Sequence, residues 1–252
     1  VPMDENGLLP DALESLCRTR KVKALYCIPT LQNPTNTVLP LERRKEIARL
    51  AQEYDFAVVE DDILRGLVKN PPPLIASLAP DHTYFVSSMS KVLAGGLRVG
   101  FIKCPRKAYT RLLQTLQALI WNVSPLTFEV FTILLENGTV DKVIKQLRKI
   151  CEARNRLAEE YFAPYKPRLH PHSTYFYLDL PPGWTQMQFG FEAQRRGVSI
   201  TTGETFAIDE KEAPHTVRVC HGKPGEFDLL RVGFERLVSI LESKPQPFLS
   251  VL

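Results

Sequence analysis

Thr83-Tyr84-Phe85-Val86-Ser87-Ser88-Met89-Ser90-Lys91-Val92-Leu93-Ala94-Gly95-Gly96-Leu97-Arg98-Val99-Gly100-Phe101-Ile102 reads as strand, loop and strand. The runs 83–87 and 97–102 are rich in β-branched and aromatic residues, and the small and polar residues between them interrupt any longer period. Two similar runs lie upstream, at 22–28 and 56–60. Between those two, Ile47, Leu50, Ala51 and Tyr54 recur at helical spacing behind Pro40, a good residue for starting a helix. Strands alternating with helices in this way predict βαβ units and a mostly parallel sheet.

Outward from this core the pattern changes twice. From 106 to 162 it is helical, with Leu112, Leu113, Leu116, Leu119 and Ile120 in one segment and 126–135 in the next, closed by Gly138. A stripe from Val140 to Tyr161 then predicts a long helix bridging two domains. Past Pro164 the order is strand 174–180, helix 185–196 stopped by Gly197, strand 217–220 and helix 226–242, the pattern of a compact α+β domain. The expected organisation is therefore an incomplete large α/β domain over 1–138, an interdomain helix over 139–163 and a smaller α+β domain over 164–252. A chain of 252 residues, 44% hydrophobic and 24% charged, is long enough for both.

Composition excludes several functions. The net charge of +4 is not gathered into a Lys/Arg block, so no nucleic-acid footprint is visible. No apolar run approaches the roughly 20 residues that cross a bilayer. The start Val1-Pro2-Met3-Asp4-Glu5 lacks the basic flank and apolar core of a secretion signal, so the expected address is the cytoplasm. Cys17, Cys27, Cys104, Cys151 and Cys220 stand singly and read as reduced thiols. His170-Pro171-His172 has no third ligand at useful spacing, and no metal site is expected.

Open parallel sheets hold ligands at the loops that follow their strands. Asn33-Pro34-Thr35 follows the first strand, Asp61-Asp62 ends the second and Ser88-Met89-Ser90-Lys91 ends the third, with Arg98 entering the fourth. An amide, a carboxylate, a hydroxyl, an amine and a guanidinium thus converge on one edge. A pyridine aldehyde phosphate asks for that set. The aldehyde needs a lysine to form an imine, and the ring nitrogen needs a carboxylate that keeps it protonated. The phosphate needs a bidentate guanidinium with hydroxyl donors, and the ring hydroxyl oxygen needs an amide or phenol. Lys91, Asp61, Arg98 with Ser88, and Asn33 answer in turn. Ser88-Met89-Ser90-Lys91 also spells the nucleophile motif of penicillin-binding proteins, but that reading needs a later Lys-Thr-Gly, which the sequence lacks.

The segments Asn33-Pro34-Thr35, Val59-Glu60-Asp61-Asp62 and 88–100 resemble the class I/II aminotransferase signatures in the same order, and the Asn33–Asp61 and Lys91–Arg98 intervals are ones that family uses. The resemblance implies a fold-type-I transferase-like architecture and pyridoxal 5'-phosphate as cofactor. It implies Lys91 as the catalytic, imine-forming residue and Asn33, Asp61, Ser88, Ser90, Lys91 and Arg98 as cofactor-binding residues. Gly197-Val198-Ser199-Ile200 leading to Phe206, and Thr216-Val217-Arg218-Val219, match the small-domain phrases. The second implies that Arg218, with Asn33, binds the α-carboxylate end of a substrate.

The wider text, at 1–8, 120–126, 154–158, Pro182-Gly183-Trp184 and Phe189, is similar to the aminotransferase-like half of MocR-type regulators of the GntR superfamily. That implies a sensor of an amino acid or amine that meets DNA only through an N-terminal winged helix-turn-helix preceding Val1. The alternative is an aminotransferase acting on an α-amino acid with a 2-oxo acid acceptor. The resemblance also implies roughly a hundred residues before Val1, including part of the phosphate cup, and a homodimer. Two positions depart from the family pattern. Leu64 stands where a tyrosine usually donates to the ring hydroxyl oxygen, and Asn36 stands where glycine is common, a change Asn accommodates because it tolerates a left-handed backbone.

Overall fold

The computed structural model describes residues 1–209, 211, 213–222 and 225–245, so the end of the expected 164–252 domain, 246–252, lies outside the described residues. The chain forms two compact units, one of residues 1–32 and 37–147, the other of 33–36 and 148–252.

The first unit is built on a four-stranded sheet in the order β3 (Ala24–Cys27), β4 (Ala57–Asp61), β5 (Thr83–Ser88) and β6 (Gly100–Lys103). β3, β4 and β5 are parallel, whereas β6 runs antiparallel to β5 with Ser88 opposite Gly100. The reversal follows from the short 89–99 connection, since a parallel return needs a crossover of a dozen or more residues. This also corrects the start of the last strand. The run 97–102 begins as strand only at Gly100, after a 3-10 turn at Gly95–Leu97 and a left-handed backbone at Arg98, φ 52°.

A hairpin of β1 (Met3–Asp4) and β2 (Gly7–Leu8) and the helix α1 (Pro10–Thr19) precede the sheet. α2 (Leu41–Glu53) and the short α3 (Ile75–Leu78) lie in the β3–β4 and β4–β5 connections. Leu13, Leu25, Ile47, Leu50, Ala51, Phe56, Val58, Ile75 and Ala79 pack into one core, which covers the sheet face carrying Leu25 and Val58. Registered neighbours in parallel strands share a face and successive residues alternate. Tyr26 is paired with Val59, and Asp61 with Val86, so Tyr26, Val59, Asp61, Val86 and Ser88 lie together on the opposite face. α4 (Tyr109–Ile120) and α5 (Pro125–Glu136) follow. Val99 and Phe131 pack in a smaller cluster with Val140, at the start of α6 (Thr139–Phe162), inside which the boundary between the units falls.

The second unit holds an antiparallel sheet in the order β7 (Tyr175–Asp179), β9 (Thr216–Cys220), β8 (Thr201–Thr202), with α7 (Gln186–Arg195) and α8 (Phe227–Leu241). Its core joins Phe162, Phe176, Leu178, Trp184, Phe189, Val217, Phe234, Leu237 and Ile240. α7 starts at a capping box in which the Thr185 hydroxyl accepts from the Gln188 N–H and the Gln188 side chain accepts from the Thr185 N–H. Gly203 sits where a Cβ would fall 2.4 Å from the Pro214 carbonyl oxygen, so only glycine fits that turn. Among the described residues no helix is long and apolar enough to cross a membrane.

Candidate cofactor and substrate site

The predicted residues fall into two sets, one in each unit. In the first, Asp61 ends β4, Ser88 ends β5, and Ser90 and Lys91 lie in the turn that follows. The Lys91 side chain is exposed, and Arg98, also exposed, precedes the β6 residue paired with Ser88. Asp61 Oδ2 accepts a hydrogen bond from the Tyr26 hydroxyl at 2.7 Å, while its Oδ1 is buried without a partner. A buried unpaired carboxylate oxygen is costly unless a donor completes it. The protonated nitrogen of a pyridine ring is such a donor, so this carboxylate, with an accessible amine and hydroxyls on the same sheet edge, fits the cofactor that the sequence implies.

In the second unit the Arg218 guanidinium lies over two rings, 5.4 Å from the Tyr175 centroid and 5.0 Å from that of Phe206. Its Nη1 donates to Asn33 Oδ1 at 2.6 Å and its Nη2 to the Thr201 hydroxyl at 3.3 Å, leaving Nε buried with no acceptor. An arginine held flat by aromatic faces, with a donor to spare, is prepared for a carboxylate. Asn36, at the left-handed φ of 65°, donates to the Tyr175 and Arg168 carbonyls and accepts from the Ser173 hydroxyl, which ties the 33–36 loop into this unit.

Sequence reasoning missed the charged group beneath Asp61. Arg44 and Glu60 are fully buried, with Arg44 Nη1 3.9 Å from Glu60 Oε1. Arg44 also donates to the carbonyls of Leu39, Pro29 and Pro73 and to the Thr30 hydroxyl, which donates in turn to Asp62 Oδ2. Glu60 accepts the Ile75 and Ala76 N–H groups at the start of α3. The signal was present, because Arg44 lies three residues before Ile47 and so continues the helix's apolar stripe. Burial pushes the Glu60 carboxyl up and the Arg44 guanidinium down from their ordinary values.

Burial likewise raises Asp62 to about 6, against the lowering pull of Thr30, Arg44 and Arg65. The folded protein therefore keeps a proton that the unfolded chain has released between pH about 4 and about 6. The Asp62 contribution to stability falls as pH rises through that window and is flat above it. Urea unfolding of wild type and Asp62→Asn between pH 4 and 7 should show the wild type losing about 2–3 kcal/mol relative to the variant.

His172 Nε2 lies 3.0 Å from Glu152 Oε1. Among the described residues no three His, Cys, Asp or Glu side chains come together as a metal site.

The family model for aminotransferase class I and II matches residues 2–230. An uncharacterized HTH-type transcriptional regulator of Bacillus subtilis, YdeF, is 29% identical, covering 96% of this chain and 52% of that protein. The 2-aminoadipate transaminase of Thermus thermophilus is 33% identical over 82% of this chain and 54% of its own length. Among solved structures, the kynurenine aminotransferase of Pyrococcus horikoshii, in complex with PMP, aligns with a TM-score of 0.86 at 25% identity, covering 96% of this chain and 63% of that one. The chain thus spans about half the length of the curated relatives it matches. With that match running through both units, the chain belongs to the aminotransferase class I and II family, with the fold-type-I architecture and the pyridoxal 5'-phosphate cofactor that membership implies.

Proposed function

We propose that the chain is the pyridoxal-phosphate-binding effector domain of a MocR-type regulator, which binds an amino acid or amine and passes the resulting change to a DNA-binding partner domain. The carrying observation is Leu64. A buried apolar side chain, 7% exposed, stands where the family usually has a phenol donor. Losing that donor weakens control of the proton at the reacting nitrogen, which matters most for repeated turnover and less for a single binding event. The similarity to YdeF over nearly the whole chain supports the same reading.

When bound, the cofactor supplies an aldehyde carbon open to an amine and a ring that draws electrons from a substrate Cα. In this reading Lys91 would hold the cofactor covalently through Nζ. Asp61 Oδ1 would accept the ring N–H, Ser88, Ser90 and Arg98 would hold the phosphate, Asn33 would donate its amide to the ring oxygen, and Arg218 would clasp the α-carboxylate. The homodimer expected from the family is part of the same proposal.

A second reading, an aminotransferase on an α-amino acid with a 2-oxo acid acceptor, is favoured by the retention of Lys91, Asp61 and Arg218 together and by the 2-aminoadipate transaminase relative. Mixing the full-length protein with a panel of amino acids and 2-oxoglutarate separates the two. A sensor changes its cofactor absorbance with a ligand and yields at most one equivalent of keto acid. Steady multiple turnovers would overturn the sensor reading in favour of the enzyme.

A further inference from the structure

We propose that Tyr26 is a positioning residue for Asp61, fixing the carboxylate so that Oδ1 faces the ring nitrogen of bound pyridoxal phosphate. The inference rests on the ring-nitrogen role given to Asp61 above. Two observations carry it. The Tyr26 hydroxyl donates to Asp61 Oδ2 at 2.7 Å, from the strand next to β4 and on the same face of the sheet. Oδ1 of the same carboxylate is buried without a partner, so one oxygen is held and the other is presented.

A free carboxylate turns about its Cβ–Cγ bond through a broad, two-fold well. A charge-assisted bond to one oxygen narrows that well and is about twice as strong as a neutral one. The donor persists across the working pH range, because partial burial, and then Asp61 itself, push the Tyr26 phenol above its ordinary value. Tyr26 is 60% exposed, so its substitution by phenylalanine leaves no cavity in the core.

The test uses full-length protein and titrates pyridoxal phosphate into wild type, Tyr26→Phe, Asp61→Asn and the double variant, following the absorbance band and the melting temperature of the cofactor-free forms. Tyr26→Phe should weaken binding about tenfold, lower the cofactor-free melting temperature by no more than about 4 °C, and have no further effect on binding when Asp61 is already Asn. Unchanged affinity in Tyr26→Phe would overturn the proposal, as would an equal loss in the Asp61→Asn background, which would mean that Tyr26 acts independently of the carboxylate. If Asp61→Asn itself binds as wild type, the ring-nitrogen reading fails and the role of Tyr26 fails with it. That result is distinct from one in which Asp61→Asn weakens binding and Tyr26→Phe does not.

Discussion

Lys91→Ala in the full-length protein loses the covalent cofactor band completely while the protein stays folded. Borohydride reduction of the wild type fixes pyridoxal phosphate on Lys91, and the same treatment of the variant fixes none. The expectation of an intact fold comes from exposure. The Lys91 side chain lies in a surface turn, where substitutions usually change stability by no more than about 0.5 kcal/mol. The expectation of complete loss comes from topology. Lys103, on the strand next to β5, pairs with Phe85 and so sits toward the opposite end of the sheet from Ser88 and Lys91. Lys91→Arg keeps the positive charge but presents a guanidinium, which stays protonated and forms no imine, so it should fail as fully as alanine. Label recovered on another lysine of the wild type would sink the assignment.

Arg44→Met is expected to destabilise the protein by about 3–5 kcal/mol, because it leaves buried charge without its partner. Removing the guanidinium strips Glu60 of its cation and leaves the Leu39, Pro29 and Pro73 carbonyls and the Thr30 oxygen without their arginine donor. Against a typical total of about 5–15 kcal/mol, that loss moves a urea midpoint far enough to read directly. Arg44→Lys should recover little, since a compact ammonium cannot spread its donors among four acceptors in different directions. A variant within about 1 kcal/mol of wild type would mean that Glu60 and Asp62 take up protons at little cost when the arginine goes.

Much of this was legible in the sequence, for identifiable reasons. The runs 22–28, 56–60 and 83–87 announce strands because β-branched and aromatic residues crowd into short stretches with helical spacing between them, and β3, β4 and β5 fall inside or within a residue of them. The 88–91 segment stood out because a loop beyond a parallel strand is where ligands bind. Arg98 was harder. Its left-handed backbone depends on where the chain turns to pair Gly100 with Ser88, and apolar periodicity carries no trace of such a turn. Tyr26 escaped because its contact with Asp61 is diagonal across two strands, and it becomes readable only once the register is known. The hairpin at Met3–Leu8 and the two-residue β8 are too short for any period to mark them.

The bond from Glu60 to the start of α3 bears on how this region acquires its order. A helix of four residues cannot nucleate in water, where several dihedrals must be fixed for a single hydrogen bond. Ile75–Leu78 nevertheless forms one, because the Glu60 carboxylate takes the first N–H groups of the turn. The helical instruction for that segment is thus written fifteen positions earlier, on a neighbouring strand. A change at Glu60 would be felt there as a loss of meaning, with every letter of Ile75–Leu78 left intact.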